Sequence, residues 1–344
     1  MILSVRLSRM MNRLRNLITD VPGLTVGNAH DAKVGTGVTT VLFDEPTVAS
    51  GAVLGGAPAN RDFSCLEPDA AVPGIDAVVL SGGSGFGLDA ASGVQAFLRE
   101  QQRGFLVGRT RVPIVPQAIV FDLLNNGDKE WGRYPPYREL GYAAASACSE
   151  GFDLGTVGGG YGATTFDLKG GLGSASTVTS SGYVVGSLVI VNAIGSAVIG
   201  GGPHFWAAPF EEGEEFGGLG MPQRVTPAMR SIGWKGGPQL STTIALVATD
   251  AALTKAQAKR LAIAAHTGIA KALRLALALY DGDTVIAAAT GRQALRNEAI
   301  DLIELAAVAS DCLARAIARG VYEATALPYD PAHPAWKDKF APIR

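Results

Sequence analysis

Residues 239–253 read QLSTTIALVATDAAL and combine a buried strand with the start of a helix. The unbroken aliphatic run that begins at Ile244 is typical of a strand covered on both faces. Three hydroxyl residues, Ser241, Thr242 and Thr243, open this strand. Thr favours strands and Ser and Thr suit strand edges, so a structural role is the simplest interpretation. A chemical role needs support from the rest of the chain.

The overall composition indicates a compact, apolar protein. The chain has 344 residues, of which 17% are charged and 44 are Gly, and its net charge is -2. This length accommodates one to three domains, but no linker or charge block interrupts residues 16–325, so we predict one domain. The small net charge gives no general attraction for nucleic acid or acidic membranes, and we predict neither as a partner.

The cysteines, the histidines and the N-terminal segment indicate where the protein is located and whether it binds a metal. Cys65, Cys148 and Cys312 are odd in number and lack metal-ligand spacing, which favours a reducing, cytoplasmic location. The four histidines are not spaced for a metal either, so we predict no metal site. Residues 1–16 are basic without an uninterrupted apolar core, which predicts a tail and not a secretory signal. No apolar run is long enough to span a bilayer.

Strand and helix patterns are mixed without a strict alternation, which favours a layered α+β fold over a doubly wound sheet. Thr254 and Gln257 have capping-box spacing before one amphipathic segment, and a second helical segment is predicted to end at Gly320. A third helix is predicted to follow the segment SGGSGFGLDAASGVQAFLRE, residues 81–100. The strand-like runs are TGVTTVLF (36–43), DAVVLSGG (76–83), VPIVPQAIVFDLL (112–124), STVTSSGYVVGSLVIVNAIG (176–195), STTIALVAT (241–249) and DTVIAAATG (283–291).

The Gly-rich segment SGGSGFGLDAASG, residues 81–93, follows a strand and opens a helix. Its glycine spacing misses the dinucleotide fingerprint and it has no phosphate-binding Lys-Ser/Thr pair. We predict a tight turn whose backbone lies near the active site, with Gly83, Ser84 and Gly85 as candidate substrate-pocket residues. Nucleotide binding through residues 82–87 is the alternative.

Polar residues adjoin apolar strands at two places in the sequence. In the segment LVIVNAIG, Asn192 follows the apolar run LVIV and either starts a turn or donates an N–H to a developing oxyanion. Asp281 and Asp283 flank Gly282 at the start of another strand, so both can project to one face. A hairpin turn is the competing interpretation of this Asp-Gly pair.

A threonine hydroxyl becomes an effective nucleophile only when a base lies beside it. The residue's own α-amino group, with a pKa of about 7.7–8.0, is such a base near neutral pH. An internal threonine has an amide there, so the chain must be cut immediately before it. The threonine can make this cut by attacking the preceding carbonyl, and residues 236–238, Gly-Gly-Pro, supply backbone freedom for a distorted peptide bond.

These features occur together with a family resemblance over residues 18–325. The chain resembles the self-processing N-terminal-nucleophile peptidases of the L-aminopeptidase/D-esterase, β-aminopeptidase and nylon-oligomer hydrolase family. The resemblance implies a four-layer αββα sandwich, shared with ornithine acetyltransferases, and a catalytic cycle without a cofactor. The matching segments, in order, are VPGLTVGNAHD (21–31), TGVTTVLF (36–43), GGAPANRD (55–62), LSGGSGFGLDAASGV (80–94), GGGYGATTFDLKGGLGSAS (158–176), LVIVNAIG (188–195), STTIALVATDAALTKAQAKRLA (241–262) and DGDTVIAAATG (281–291).

The resemblance also implies a role for individual residues. Thr242 corresponds to the nucleophile, with cleavage after Ser241 into an α chain (17–241) and a β chain (242–344). Thr243 is the alternative, because both faces of the strand are apolar and periodicity does not separate them. The other correspondences are the acidic pair Asp281 and Asp283, the oxyanion-hole Asn192, and Lys169 for the functional lysine of the nylon-oligomer branch.

The chain departs from the family pattern before the nucleophile and in a candidate pocket. Ser241 replaces the common Asn or Gly, and Phe121 falls where some relatives have an active-site Tyr. Tyr161, in a Gly-Gly-Gly-Tyr-Gly segment, is a further pocket candidate that favours aminopeptidases. Substrates consistent with the resemblance are short peptides, D- or L-amino-acid amides and esters, β-amino-acid derivatives and 6-aminohexanoate oligomers. Acyl transfer is the alternative activity, and a homo-oligomer such as a tetramer is expected.

Overall fold

A computed structural model of the chain describes residues 14–236 and 241–340. The strands within these residues are β1 (Leu24–Asp31), β2 (Thr36–Val53), β3 (Asn60–Arg61), β4 (Ile75–Ser81), β5 (Phe105–Val107), β6 (Thr110–Val112), β7 (Gln117–Ile119), β8 (Leu172–Val178), β9 (Val184–Asn192), β10 (Thr242–Ala251) and β11 (Thr284–Gln293). The α-helices are α1 (Ser84–Gly87), α2 (Ala90–Glu100), α3 (Tyr137–Ser146), α4 (Lys255–Ala272), α5 (Glu298–Tyr322) and α6 (Trp336–Lys339).

The long strand β2 belongs to two sheets. Its first half pairs with β1 and β4, and its last six residues, 48–53, pair with β11. The pairing with β4 shifts register between Leu42 and Thr47, where β2 passes from one sheet to the other. The first sheet continues through β4 to β7 and β3, and the second runs in the order β2, β11, β10, β9, β8.

Three hydrophobic cores separate four layers. The two sheets enclose the central core, which includes Val41 from the first sheet and Leu246 from the second. Helices α2 and α3 pack on the outer face of the first sheet and form a second core there, which includes Val94. Helices α4 and α5 cover the outer face of the second sheet, with Leu261 and Leu313 in that core. The predicted four-layer αββα sandwich is therefore confirmed.

Strand β10 supplies side chains to two of these cores in alternation. Ile244 and Leu246 lie in the core between the sheets, and Ala245 and Val247 lie in the core beneath the helices. The prediction of a strand buried on both faces is confirmed, since all ten of its residues are buried. By the same alternation, Thr242 faces the space between the sheets and Thr243 faces the helices.

Helix α4 begins at the predicted capping box. The Thr254 side chain accepts the Gln257 backbone N–H, and the Gln257 side chain accepts the Thr254 N–H at 2.8 Å. The helix connects β10 to β11, which pair in parallel. A parallel pair needs such a crossover, so the interpretation of Asp281-Gly282 as a turn between hairpin strands is wrong.

Helix α5 continues past its predicted end at Gly320 and stops at Tyr322. Gly320 lies against Gly173 of β8, and a Cβ atom on Gly320 would be 3.0 Å from the Gly173 nitrogen. This glycine serves close packing of the helix on the sheet and is not a C-cap. Helix α3 was not predicted from the sequence.

No helix among the described residues combines the length and the apolar character that crossing a membrane requires.

The central core should be sensitive to loss of volume. Leu246 is fully buried there, so we expect Leu246→Ala to lower the free energy of unfolding by about 2–5 kcal/mol. Ile303→Ala is the control, because Ile303 is 72% exposed and its truncation should change stability by less than about 0.5 kcal/mol. Urea titration measures both, and equal effects would contradict the assignment of Leu246 to the core.

Candidate active site

Thr242 and Asn192 are direct partners in the antiparallel pairing of β10 with β9. Residues opposite each other in such a pair project their side chains to the same face. Both side chains are almost completely buried on the face that looks between the sheets. Thr243 is paired with Val191 and projects to the other face. The structure therefore brings Thr242, and not Thr243, onto the face of Asn192.

The hydrogen bonds of Asn192 fix the orientation of its amide. Its Oδ1 accepts the backbone N–H of Thr164 at 3.0 Å, and its Nδ2 donates to the Phe121 carbonyl at 3.0 Å. Because a backbone N–H only donates and a carbonyl only accepts, the opposite orientation would lose both bonds. One N–H of Nδ2 remains after the Phe121 contact, and it is available to an oxyanion.

The carbonyl of Ser241 is held beside Thr242 by two donors. It accepts the Gly282 N–H at 2.9 Å and the Thr242 hydroxyl at 2.5 Å. The Ser241 N–H in turn donates to the Tyr280 carbonyl at 3.2 Å. The peptide group before Thr242 is thereby fixed against the segment that contains the acidic pair.

Asp281 and Asp283 lie in different hydrogen-bonding environments. Asp283 accepts the Thr243 N–H at 2.7 Å and the Leu277 N–H at 2.8 Å. Asp281 is 1% exposed, and its Oδ1 has no hydrogen-bond partner among the described residues. One carboxyl group is thus satisfied by the backbone, and the other has a buried oxygen free to meet a donor.

The two carboxyl groups differ in how readily they ionise. Burial, followed by the adjacent Asp283 carboxylate, raises the pKa of Asp281 to about 9. Burial raises the pKa of Asp283 as well, but the N–H groups of Leu277 and Thr243 oppose that effect. Two carboxylates in contact cannot both ionise in a dry interior. At neutral pH the pair therefore shares one proton and carries one negative charge.

A cleft opens next to Asn192. Phe121 and Lys235 also line it, together with Asp330 and His333 near the C-terminal end of the chain. The Lys235 side chain donates from Nζ to the Thr164 carbonyl at 2.7 Å and to Asn192 Oδ1 at 3.2 Å. Sequence reasoning missed Lys235 and Asp330, because neither belongs to a motif. Only the folded chain brings them to Asn192.

The Gly-rich turn adjoins this cleft through Asp122. Gly83 has a φ of +88°, and its N–H donates to Asp122 Oδ1 at 2.7 Å. Asp122 lines the cleft, which supports the prediction that the turn lies near the site. The Ser84 N–H donates to the Val120 carbonyl, and Gly85 is exposed. An engaged N–H beside a carboxylate does not suit a phosphate, which argues against the nucleotide alternative.

The two remaining candidates, Lys169 and Tyr161, are not among the residues that line this cleft. Lys169 is fully buried, and its Nζ donates to the carbonyls of Gly160, Ala163 and Gly170 at 2.7–3.1 Å. Burial lowers the pKa of Lys169 to about 7. No hydrogen bond of the described residues joins it to Thr242. The Tyr161 ring stacks on His30 at 4.5 Å and is half-buried.

Within the described residues, no group of three or more His, Cys, Asp or Glu side chains is arranged to hold a metal ion.

The raised pKa of Asp281 predicts a pH-dependent stability. A group with a pKa of about 9 in the folded protein and 3.8 otherwise binds more protons when folded, so stability falls as pH rises from about 4 to 9. In a Thr242→Ala chain, adding Asp281→Asn should flatten this decline and raise the melting temperature most at pH 8–9. Asp311→Asn, at a half-exposed carboxylate, is the control. Parallel Tm profiles with and without Asp281→Asn would contradict the assignment.

Comparisons with known proteins identify the family of the chain. The model of peptidase family S58 matches residues 16–333. An uncharacterised aminopeptidase of Mycobacterium bovis is 40% identical over 330 residues, covering 90% of this chain and 94% of that protein. An uncharacterised aminopeptidase of Mycobacterium leprae is 38% identical over 336 residues, covering 88% and 89% of the two chains.

Two solved structures share the fold. A β-aminopeptidase of a Burkholderia species superposes with a TM-score of 0.68 at 23% identity, covering 94% of this chain and 90% of its own. The L-aminopeptidase D-Ala-esterase/amidase of Ochrobactrum anthropi, described as a variant of the N-terminal-nucleophile hydrolase fold, gives a TM-score of 0.68 at 22% identity, with 96% and 95% covered. The resemblance noted from sequence motifs is thus confirmed. The chain belongs to peptidase family S58 and is a peptide-bond hydrolase.

Proposed function

We propose that this protein cuts itself before Thr242 and then uses Thr242 as an N-terminal nucleophile on short peptides and amino-acid amides. The observation that carries this proposal is the contact between the Thr242 hydroxyl and the Ser241 carbonyl, with Gly282 donating to the same oxygen. The hydroxyl is positioned next to the bond that it must break, and an N–H is already aimed at the oxygen that becomes negative.

Self-cleavage follows from that arrangement. Thr242 Oγ1 attacks the Ser241 carbonyl carbon, and the Gly282 N–H stabilises the oxyanion. The peptide C–N bond then breaks, and the hydroxyl proton ends on the Thr242 nitrogen, which becomes a free amine. Water hydrolyses the resulting ester and returns the hydroxyl. The products are an α chain that ends at Ser241 and a β chain that begins at Thr242.

The new amine then serves as the base for turnover. It removes the Thr242 hydroxyl proton as Oγ1 attacks the substrate carbonyl, and it later delivers that proton to the leaving amine, which leaves an acyl ester on Oγ1. Water, deprotonated by the same amine, then hydrolyses this ester, releases the carboxylic acid and restores the hydroxyl. The free N–H of Asn192 Nδ2 stabilises the oxyanion from the neighbouring strand. The unpartnered Oδ1 of Asp281, next to the bond that is cut, is an acceptor for the amine and orients it.

The substrate class follows from the relatives and from the cleft. The curated relatives are named aminopeptidases, and one structural neighbour is a β-aminopeptidase. Phe121 lines the cleft beside Asn192 at the position where some relatives have a Tyr, so the polar contact of a Tyr hydroxyl is missing here. Groups that can accept a hydrogen bond from an amine also line the cleft. We therefore expect short substrates with a free amino group.

Intact mass spectrometry of the purified protein tests self-cleavage and its position together. Wild-type protein should give two fragments, the smaller one starting at Thr242. Thr242→Ala should stay uncut and lose at least about a thousandfold in amidase activity, because both steps need the hydroxyl.

Two further variants show whether Thr242 or Thr243 is the nucleophile, and whether the effect of Thr242→Ala is due to loss of the hydroxyl and not to a disturbed structure. Thr243→Ala should still be cut before residue 242, and Thr242→Ser should still be processed because it retains a hydroxyl. An uncut wild-type chain that hydrolyses amides at full rate, or a fragment starting at Thr243, would overturn this assignment.

A further inference from the structure

The ammonium group of Lys235 is bound in the cleft in an unusual way. Lys235 is 8% exposed, and no salt bridge among the described residues involves it. Its Nζ is held by two neutral acceptors, the Thr164 carbonyl and Asn192 Oδ1. A buried ammonium is unfavourable unless its donors are satisfied and opposite charge is near. The site that holds Lys235 therefore has the properties of a receptor for a primary ammonium.

Negative charge in the surroundings completes that receptor. Burial lowers the pKa of Lys235 to about 7, and the Asp281 and Asp330 carboxyl groups act in the opposite direction. Asp330 is itself 3% exposed and lines the same cleft. The Asp330 carboxylate does not form a hydrogen bond with Lys235. Its two oxygens pair instead with His333 Nδ1, at 2.9 and 3.1 Å.

The position of Lys235 in the chain connects this receptor to the proposed cut. Lys235 lies six residues before Ser241, on the segment that becomes the C-terminal end of the α chain. In the uncut chain this segment is covalently connected at both of its ends. Cleavage after Ser241 would leave it connected only at its N-terminal end. The same receptor can then be vacated without unfolding any strand or helix described above.

Resting on the proposed function, we propose that the Thr164 carbonyl and Asn192 Oδ1, with the Asp330 carboxylate as the nearby negative charge, bind the free amino group of the substrate, and that Lys235 occupies this site as a built-in pseudosubstrate until the chain is cut. A lysine ammonium and a substrate's amino group present the same three N–H donors. The two ligands therefore exclude each other.

The geometry also restricts the substrate. One Asn192 amide would accept the substrate's ammonium at Oδ1 and donate to the oxyanion from Nδ2. The two ends of the aminoacyl group are then only a few ångströms apart, as in α- and β-aminoacyl groups. An extended 6-aminohexanoyl group would exceed that separation.

Calorimetric titration of uncut protein tests the site without any turnover. In a Thr242→Ala chain, confirmed as uncut by mass, Lys235→Met keeps the aliphatic stem and removes the ammonium. We expect β-alaninamide to bind Thr242→Ala/Lys235→Met at least about tenfold more tightly than Thr242→Ala alone. N-acetyl-β-alaninamide, which has no ammonium, should bind neither, and 6-aminohexanamide should bind less tightly than β-alaninamide.

Two matched variants identify the site. Lys271→Met removes a lysine that pairs with Asp311 on the surface, and it should leave binding unchanged. Asp330→Asn added to the Lys235→Met chain should weaken β-alaninamide binding at least about tenfold. Melting curves of every variant confirm folding.

Equal binding with and without Lys235, or equal binding of the acetylated amide, would overturn the ammonium site. Tight binding of 6-aminohexanamide would overturn the short spacing. Because none of these variants needs to cut or hydrolyse, failure here is distinct from an uncut wild-type chain, which would instead contradict the proposed self-cleavage.

Discussion

The register of β9 against β10 is the constraint on which the site depends. It sets Thr242 opposite Asn192 and gives both side chains one face, between the two sheets. A slip of one residue would turn Thr242 toward the helices and would move every aliphatic side chain of β10 to the wrong core. The hydrophobic alternation that stabilises the fold therefore also fixes the position of the hydroxyl.

Burial determines the chemistry of the ionisable groups around this strand. Asp281, Lys169 and Lys235 are all shielded from water, and burial is the first cause of each altered pKa. The protein compensates in different ways. Lys169 is bound by three backbone carbonyls, whereas Asp281 retains a buried oxygen without a partner. Completed hydrogen bonding suits a structural group, and an unmet acceptor suits a group that awaits a donor.

The layered architecture brings distant parts of the chain to this strand. Helix α4 links β10 to β11 as a crossover, so the carboxyl pair before β11 arrives beside the start of the parallel strand β10. Asn192 comes from the antiparallel neighbour on the other side, and Asp330 comes from beyond α5. The segment with Lys235 reaches the same place from upstream of the bond proposed to be cut. One strand thus has candidate groups on both sides of it.

The sequence by itself determined the layered fold class, the capped helix α4, the doubly buried strand β10 and the candidates Thr242, Asn192, Asp281 and Asp283. These signals are local, because periodicity and capping act over a few residues and motifs are contiguous. The tertiary structure decided the rest. It separated Thr242 from Thr243, because two equally apolar faces differ only in what packs on them. It placed Gly320 inside a helix against β8, and it brought Lys235 and Asp330 to Asn192, because contacts between residues far apart in sequence exist only once the sheets have paired.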